Sequence, residues 1–548
     1  MATVIASGLK GIRDSTTPRT SPASTSPAQL EATIARVRDG ARKFTRLSLD
    51  QRVELVNSMQ AGYLRIARAS VEAACAAKGI RLGTPLEGEE WTFGPWFVVR
   101  HLRLLRQSLL SLKHTGNTPV GQIGRTSDQR LAVQVFPAGT IDGLLFKGVR
   151  VDVHLQSGVT AEQMSSSRAR FYKNPEHEGR VVLVLGAGNL SGIPSMDVLS
   201  KMFNEGKVCI LKMNPVNSYL GPYIEEAFAE AIRQNFLAVV YGGADEGAYL
   251  VDHREVDEVH LTGSNRTFDQ IVWGPAGPER DARKAQGRPL VRKPVTAELG
   301  NVSPVIVLPG PYSDKELAYQ AEDVAAGLTC NASFDCNANK VLVLPQGWSQ
   351  RDAFLAGVEQ ALSKAAARRA YYPGARERWL AYSKGRQSIR QFGASDDEAL
   401  PWTLARNLDP TDPDELAFGS ESFCPILFET QIGSADPVEF LDRAVDFAND
   451  RLWGTLSAGL VVHPKVMKDP TLSNAVERAI TDLRYGAVGV NAWSGYVFAF
   501  GSPPWGAHPS SDLTDIQSGR GWVHNAPMLE GIEKAVLRHP ITAMPKPT

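Results

Sequence analysis

The fold is decided by the stretch that begins VVLVLGAGNL at residues 181–190 and runs to residue 264. Four apolar runs within it are predicted as buried strands: VVLVLG (181–186), KVCILK (207–212), LAVVYGG (237–243) and VDEVHLTGS (256–264). Between them lie SMDVLSKMFNEG and GPYIEEAFAEAIRQ, which have the apolar spacing of helices. Because parallel strands need crossover connections, this β-α-β rhythm predicts a parallel sheet flanked by helices.

A second alternation runs from about residue 304 to residue 491. Its predicted strands are SPVIVLPG, KVLVLP, AGLVVHP and AVGVN, and its predicted helices are ELAYQAEDVAAGLT and PVEFLDRAVDFAND. The chain has 548 residues, too many for one hydrophobic core. At roughly 150 residues per domain, about three structural units are expected. The fold class predicted here is α/β, with two parallel-sheet domains.

The N-terminal part of the chain is predicted to contain a leader, helices and a pair of strands, without the β-α-β alternation. Residues 14–29 are rich in Ser, Thr and Pro, and we predict a flexible leader there. Residues 30–112 have helical apolar spacing, and residues 131–157 are β-branched and partly alternating, which predicts strands or a hairpin.

Aromatic residues gather at the start of the last of these helices and near the C-terminus. We interpret them as core side chains, which is the commoner role. The alternative is that some line an apolar substrate tunnel for a medium or long aliphatic, or an aromatic, substrate. They are Trp91, Phe93, Trp96, Phe97, Trp493, Tyr496 and Phe498.

Composition excludes several classes of protein. Basic and acidic residues both number 59, so no global field would attract nucleic acid or an anionic membrane. No apolar run reaches the roughly 18–20 residues that cross a bilayer, and no secretory signal pattern is seen. Five cysteines without a CxxC pair argue against a disulfide framework or a zinc site. We therefore expect a soluble, cytoplasmic protein without a metal, with reduced thiols.

Three predicted strands end in groups suited to bind a ligand. Asn189 follows Gly-Ala-Gly, and its amide can donate to an oxyanion. Lys212 can contact the ribose or phosphate of a nucleotide, while Gly263 and Ser264 begin a helix suited to a diphosphate. The pattern is not the GxGxxG fingerprint. Each group also has an ordinary alternative role, as a turn residue or a solvated side chain.

Two further segments carry reactive groups. Glu298 lies in a largely apolar stretch, where burial would raise its pKa and make it a base, unless it pairs with Arg292 or Lys293. The segment CNASFDCNA holds Cys330 and Cys336. A thiolate there can attack a carbonyl carbon to form a thiohemiacetal, which can give hydride to a nicotinamide. Buried, inert thiols are the alternative.

These segments, in this order, resemble the motifs of the aldehyde dehydrogenase superfamily. Asn189 matches the Asn of Pro-Trp-Asn, and Lys212 matches the lysine of Lys-Pro-x-Glu. VDEVHLTGS is similar to Val-Asp-x-Ile-x-Phe-Thr-Gly-Ser. AELGNVSP is similar to Glu-Leu-Gly-Gly-Lys-Ser-Pro, which puts the family's general base at Glu298. NASFDC resembles Asn-x-Gly-Gln-x-Cys and makes Cys336 the nucleophile.

One more motif extends the resemblance toward the C-terminus. ESFCP at residues 421–425 resembles Glu-x-Phe-Gly-Pro, whose Glu and Phe contact the nicotinamide ribose and ring. The implied cofactor contacts are therefore Glu421 and Phe423, with Lys212, Gly263 and Ser264. The resemblance covers about residue 30 to the C-terminus.

The resemblance implies a reaction. It is the NAD- or NADP-dependent oxidation of an aldehyde to a carboxylic acid through a cysteine thiohemiacetal and thioester. Asn189 and the Cys336 backbone N–H would hold the oxyanion, and Glu298 would activate the hydrolytic water. An acyl-CoA reductase of the same fold, which needs no such base, and a catalytically silent member are the competing interpretations.

The resemblance also implies the domain organisation and a homodimer or homotetramer. We expect a leader (1–29), N-terminal helices on the cofactor domain (30–130), a strand hairpin of an oligomerisation element (131–160), a nucleotide-binding domain (161–298), a catalytic domain (299–500) and a C-terminal segment that completes the oligomerisation and cofactor-domain packing (501–548).

The sequence departs from the family at several positions. Ser333 and Phe334 replace the Gly and Gln before the nucleophile, and Asn301 replaces a Gly. Lys340 lies four residues after Cys336, where the family has an Arg five residues after. An alignment on that lysine would put Asp335 at the nucleophile position. We reject this alignment because Asp is a poor nucleophile for an aldehyde, and we keep Cys330 as a second choice.

Two further departures concern the cofactor. The family's Glu three residues after the cofactor lysine is Pro215 here, which leaves NADP open beside NAD. A basic, Gly/Pro-rich insertion, GPAGPERDARKAQGRPL, lies at about residues 275–290. We predict a surface loop there. The alternatives are a cap over the cofactor cleft and a contact with a neighbouring subunit.

Overall fold

The computed structural model describes residues 21–174, 177–393, 396 and 398–542. Residues 1–20, which hold part of the predicted leader, lie outside the described residues. The strands are β1 (Ile123–Arg125), β2 (Leu131–Phe136), β3 (Arg150–Leu155), β4 (Val181–Leu185), β5 (Val208–Lys212), β6 (Leu237–Val240), β7 (Glu258–Gly263), β8 (Val295–Leu299), β9 (Ser303–Val307), β10 (Asn339–Pro345), β11 (Ile389–Phe392), β12 (Trp402–Leu408), β13 (Ile426–Ile432), β14 (Ser457–Val461), β15 (Ala487–Val490), β16 (Pro504–Trp505), β17 (Gly519–Arg520), β18 (Val523–His524) and β19 (Ile532–Arg538).

The α-helices are α1 (Pro27–Thr45), α2 (Leu49–Lys78), α3 (Glu87–Trp91), α4 (Phe97–Thr115), α5 (Thr140–Leu145), α6 (Ala161–Ser167), α7 (Arg170–Lys173), α8 (Ile193–Leu199), α9 (Gly221–Ala227), α10 (Ala229–Arg233), α11 (Ala244–Asp252), α12 (Asn265–Trp273), α13 (Pro278–Ala285), α14 (Asp314–Thr329), α15 (Arg351–Lys364), α16 (Ala375–Ser383), α17 (Leu416–Gly419), α18 (Pro437–Asp450), α19 (Pro470–Asp482) and α20 (Gly495–Ala499). Short π-helical turns are found at Thr92–Trp96 and Ser200–Asn204.

Helix α1 begins at Pro27, three residues before the predicted boundary. The Ser26 side chain accepts a hydrogen bond from Gln29 N, and Ser26 N donates to Gln29 Oε1, which together form a capping box. The backbone N–H of Thr25 also donates to the chain just after β6. The last residues of the predicted leader therefore begin a helix, because Ser26 caps it and Pro27 is its first residue.

Six strands form the first sheet, in the order β17-β8-β7-β4-β5-β6. All except β17 run parallel, which confirms the predicted β-α-β alternation. Leu185 pairs with Lys212 on one side and with Leu261 on the other. On the next pair of strands, Thr262 lies opposite Glu298. The carboxyl ends of four strands therefore lie side by side, at the edge where open parallel sheets bind ligands.

Eleven strands form the second sheet, in the order β1-β2-β3-β19-β15-β14-β9-β10-β13-β12-β11. The strands from β19 to β12 are parallel to one another. Strands β2 and β3 form the predicted hairpin, and the short helix α5 lies in their connection. The last strand, β19, pairs with β3, so the hairpin and the C-terminal strand extend the second sheet together.

The N-terminal helices share the core of the first sheet. One apolar cluster contains side chains of α1, α2 and α4 together with those of β4 to β8. Within it, the ring of Phe44 lies 6.4 Å from that of Phe203 and 5.0 Å from that of Phe236. The second sheet has its own apolar clusters. In the part of the chain described, no helix is long and apolar enough to cross a membrane.

The aromatic helix predicted before residue 112 is divided. Helix α3 ends at Trp91, a π-helical turn follows over Thr92–Trp96, and α4 begins at Phe97. The turn contains Pro95, which has no N–H to donate and cannot continue the regular α-helical pattern.

The charged insertion contains a helix, so the prediction of a loop was wrong. Helix α13 begins at Pro278, with acidic residues in its first turn and basic residues in its last, an arrangement that favours a helix. Lys284 pairs with Asp269 of α12 at 2.8 Å, and Arg283 donates to Trp273 O at 3.2 Å. None of its side chains is buried, so the expected surface position is correct.

Replacing Phe44 by Ala tests whether the N-terminal helices are part of the first core. We expect a loss of about 3–5 kcal/mol, because a fully buried phenylalanine leaves a cavity. Thermal unfolding of Phe44→Ala should show a clearly lower Tm. The matched control is Leu144→Ala, at a side chain that is 79% exposed, for which almost no change is expected. Equal Tm values for the two variants would contradict this packing.

Candidate active site

Three predicted catalytic residues come together where the carboxyl edge of the first sheet meets the loop before β10. Cys336 Sγ lies 3.1 Å from Glu298 Oε1 and donates to it. Asn189 Nδ2 donates to the backbone oxygen of Phe334 at 2.9 Å, two residues before the thiol. These two hydrogen bonds join a strand end, the turn after β4 and the nucleophile loop at one point.

Glu298 is buried near the end of β8, with 3% of its surface exposed. Burial, and then the carboxylate of Asp197, raise its pKa to about 7, while hydrogen bonding to Cys336 works against them. The alternative ion pair with Arg292 or Lys293 is not formed, since Lys293 Nζ donates to His253 O at 2.9 Å. A carboxyl group with this pKa can accept a proton near neutral pH.

The register of the nucleophile loop agrees with Cys336 and not with the one-residue slip. Asp335 accepts a hydrogen bond from Asn331 Nδ2 at 2.9 Å, whereas the next side chain, Cys336, contacts Glu298. Burial and the neighbouring Glu298 raise the pKa of the Cys336 thiol well above its usual value. The thiol is therefore protonated at rest and needs a base to become a nucleophile.

Cys330 has a different environment. It begins the turn after α14 and is partly buried, and burial raises its pKa well above the usual value. The carboxyl group beside Cys330 is Asp335, which is already hydrogen-bonded to Asn331, whereas Cys336 donates to Glu298, so Cys336 is the better candidate.

The loop before Cys336 has an unusual backbone. Asn331, Ala332 and Ser333 all have positive φ, at 49°, 56° and 70°. Residues with a Cβ rarely adopt this conformation unless the surrounding structure fixes it. Lys340 helps to hold this backbone conformation, because its Nζ donates to Ser333 Oγ at 2.6 Å and to Cys424 O at 2.9 Å. Burial lowers the pKa of Lys340 to about 8.

Phe334, which replaces the family's Gln, is fully buried in an aromatic group. Its ring centroid lies 5.1 Å from that of Tyr371, 5.8 Å from Tyr372 and 5.6 Å from Phe423. Asn301, the other prominent departure, is fully buried too and donates to Ser457 O at 2.7 Å. Both residues therefore have packing or hydrogen-bonding roles in the walls of the site.

The predicted cofactor residues on the first sheet lie at its carboxyl edge. Lys212 ends β5 and is 8% exposed; burial lowers its pKa, and Glu246 opposes that effect. Within the described ranges its ammonium group has no hydrogen-bond partner. Ser264 follows Gly263 at the end of β7 and caps α12 by accepting from Thr267 N at 3.1 Å. A buried cation at the end of β5 and a helix start after β7, both at the carboxyl edge of the sheet, suit the ribose and phosphates of a nucleotide.

The predicted cofactor residues on the second sheet precede β13. The Glu421 carboxylate lies against Gly300, where any Cβ would come within 1.9 Å of its oxygen. Burial raises the pKa of Glu421 to about 8, and Lys340 opposes this. Its Oε1 has no hydrogen-bond partner in the ranges that the structure describes, so an acceptor is left for a ribose hydroxyl. Phe423 packs on Tyr372, with centroids 5.0 Å apart.

The aromatic residues singled out in the sequence are divided between core and surface. Phe97 and Phe498 are buried with ring centroids 4.9 Å apart, in an apolar cluster that Cys330 and Cys336 also touch. Trp96 is 38% exposed. Trp493 Nε1 donates to Asn337 O at 2.9 Å, just after the thiol. The prediction of core packing is therefore confirmed for the buried rings. These rings belong to the apolar cluster against which Cys336 packs.

Several residues of the site were missed from the sequence. Asp197, which affects Glu298, accepts a hydrogen bond from Thr262 Oγ1 at 2.8 Å. Tyr371 donates to the backbone oxygen of Asn189 at 2.9 Å. Only Asp197 had a sequence signal, as an acidic residue in an otherwise apolar helix start.

Known proteins resemble this chain in part of its sequence and in its fold. A family model described as the aldehyde dehydrogenase family matches residues 165–372. The chain is 26% identical over 287 residues to mouse (Mus musculus) aldehyde dehydrogenase family 3 member A2, an alignment that covers 51% of this chain and 54% of that protein. The chain therefore spans about half the length of this curated relative.

Solved structures share the fold over nearly the whole chain. A mutant of aldehyde dehydrogenase C from Pseudomonas syringae, in complex with NAD+ and octanal, superposes with a TM-score of 0.62 at 16% identity, covering 94% of this chain and 89% of that one. NADP-dependent glyceraldehyde-3-phosphate dehydrogenase from Bacillus halodurans, in complex with NADP, gives a TM-score of 0.61 at 16% identity, covering 94% and 92%. The family match over residues 165–372, the curated relative and the shared fold all indicate the aldehyde dehydrogenase superfamily.

Proposed function

We propose that the protein oxidises an aldehyde to a carboxylic acid, with NAD or NADP as the hydride acceptor. The observation that carries the proposal is the partly buried hydrogen bond of 3.1 Å between Cys336 and Glu298, beside the amide of Asn189. A nucleophile, a base and an oxyanion donor are the groups that this reaction needs in one place.

The first step is the formation of the nucleophile. Glu298 takes the proton of the Cys336 thiol, across the hydrogen bond that already joins them. The thiolate then attacks the aldehyde carbon, a C–S bond forms, and the carbonyl oxygen becomes an oxyanion. An amide nitrogen carries two N–H donors. Asn189 can therefore keep its bond to Phe334 O and donate the second N–H to the oxyanion, together with the Cys336 backbone N–H.

The second step is the loss of hydride from the thiohemiacetal carbon, which leaves a thioester on Cys336. The bound nicotinamide supplies the hydride acceptor. Lys212, Ser264 and Glu421 would hold its nucleotide, because they contribute a buried cation, a helix start and a carboxyl oxygen that has no hydrogen-bond partner among the described residues. Pro215 leaves no carboxylate three residues after Lys212 to repel a 2′-phosphate, so NADP is accepted in principle as well as NAD.

The third step is hydrolysis. Glu298 first releases the thiol proton to solvent and then removes a proton from water. The resulting hydroxide attacks the thioester carbon, the C–S bond breaks to release the acid, and the departing thiolate takes a proton back from Glu298. Acyl-CoA reduction would use Cys336 but give Glu298 no role. A silent protein would leave the thiol–carboxyl contact unexplained. The position of Glu298 therefore favours aldehyde oxidation. A homodimer or homotetramer stays a prediction.

Replacing Cys336 by Ala should remove the reaction. We expect kcat with a panel of aliphatic and aromatic aldehydes to fall by at least about 10³-fold, because the covalent route is lost. The assay follows absorbance of the reduced cofactor with NAD and with NADP. Cys330→Ala is the matched control and should stay active. Turnover that survives in Cys336→Ala would refute the assigned nucleophile.

Activity should depend on the ionisation of Glu298. Because burial raises its pKa to about 7, the group is protonated and unable to act as a base at lower pH. We expect kcat to rise through an apparent pKa near that value and then level off. Glu298→Gln should lose this dependence and fall about 10²- to 10⁴-fold in kcat. An unchanged pH profile in Glu298→Gln would assign the base to another group.

A further inference from the structure

A buried ion pair lies outside both sheets, next to the candidate active site. Lys78 ends helix α2, and Glu90 belongs to helix α3. Their side chains are 4% and 0% exposed, and Lys78 Nζ lies 2.6 Å from Glu90 Oε1. Burial opposes the charge of Lys78, but Glu90, together with Tyr219 and Asp335, raises the pKa of Lys78 above its usual value, so the ammonium persists.

The two partners of this pair contact two different catalytic segments. Glu90 Oε2 accepts from Ser191 Oγ at 2.8 Å, two residues after Asn189. Lys78 Nζ donates to Asn331 Oδ1 at 3.0 Å, in the loop that leads to Cys336. The ion pair therefore bridges the turn that carries the oxyanion donor and the loop that carries the nucleophile.

Asn331 transmits the contact to the backbone of the loop. Its Oδ1 accepts from Lys78 and lies 3.0 Å from the hydroxyl oxygen of Tyr371. Its Nδ2 then faces away from these groups and donates to Asp335 Oδ1 at 2.9 Å, to Phe334 O at 3.2 Å and to the backbone oxygen of Asn189 at 3.3 Å. The positive charge of Lys78 decides which end of the amide points to the loop, since an N–H cannot face an ammonium group.

Tyr371 belongs to the same hydrogen-bond network as Lys78 and Asn331. Its hydroxyl also lies 2.9 Å from the backbone oxygen of Asn189. The Asn331–Ser333 segment has the left-handed backbone described above, which persists only where its surroundings hold it. Buried ion pairs add little net stability compared with apolar residues of the same size. A role in stability alone therefore does not explain charges at this position.

We propose that the Lys78–Glu90 ion pair, with Tyr371, positions Asn189 against the nucleophile loop, and that Lys78 acts through Asn331. The proposal rests on the proposed aldehyde oxidation. Lys78, Glu90 and Tyr371 are positioning residues, because their contacts are with Asn331, Ser191 and the Asn189 backbone.

The test removes both charges at once in the double variant Lys78→Met/Glu90→Gln. Because no unpaired charge is left buried, we expect its Tm to stay close to that of the wild type. We expect kcat to fall roughly a hundredfold, the size of effect that small misplacements of reacting groups produce. The KM for the cofactor should not change, since the pair contacts none of the cofactor residues.

A second ion pair, with one fully buried partner and one partly buried partner, provides the matched control. Arg351 of α15 and Glu429 of β13 are paired at 2.8 Å, and Glu429 is fully buried. The double variant Arg351→Met/Glu429→Gln should keep its kcat. A separate single variant, Tyr371→Phe, deletes one hydroxyl and should lower kcat on the order of fivefold with the cofactor KM unchanged. This variant decides the question if the Lys78 variant does not fold.

The outcomes separate the two proposals. A wild-type protein that reduces neither NAD nor NADP with any aldehyde overturns the proposed function, and this inference with it. A wild-type protein that turns over, with a folded Lys78→Met/Glu90→Gln variant or a Tyr371→Phe variant whose kcat is unchanged, overturns the positioning role alone.

Discussion

A thiol and a carboxyl group share one hydrogen bond of 3.1 Å where the first sheet meets the loop before β10. Both groups sit in surroundings that disfavour charge. Burial keeps the Cys336 thiol protonated and brings the pKa of Glu298 to about 7. Part of the Glu298 population is therefore ionised near neutral pH and can accept the thiol proton as the thiol attacks, and once that proton has passed to solvent the same carboxylate can activate water. The two sheets and the loops between them fix the geometry of this contact.

Each partner is positioned by a different kind of structure. Glu298 is placed by the regular register of parallel strands, which needs no special residue. Cys336 follows a left-handed turn, which is held by side chains on both sides. Lys340 donates to Ser333 Oγ, and Lys78 donates to Asn331. The serine that replaces the family's glycine is thus an acceptor for a buried lysine in this chain.

The sequence was sufficient for the parts of the site that depend on regular structure. The β-α-β rhythm predicted a parallel sheet with Asn189, Lys212 and Ser264 after the ends of its strands, but it did not predict β8, the strand that carries Glu298. Cys336 required the resemblance to the family, because its loop follows no periodic pattern. These were predictions about local chain geometry, and the parallel registers confirm the shared edge.

Other features could not be predicted because they depend on contacts between distant segments. Lys78 and Asn331 are 253 positions apart, and neither segment has a sequence pattern that predicts their contact. Helix α13 was predicted as a loop because its Gly and Pro residues outweighed a charge pattern that favours a helix. The helix start at Pro27 was not predicted, because the Ser- and Pro-rich composition around it indicated a flexible leader.

The central claim is that the aldehyde carbon becomes bound to Cys336 before the acid is released. The most direct measurement is mass spectrometry of protein quenched during turnover with an aldehyde and excess cofactor, followed by peptide mapping. The account predicts an acyl group on the peptide that contains Cys336, attached as a thioester that hydroxylamine removes. Formation of acid with an unmodified Cys336, or with the acyl group on Cys330 instead, would contradict it.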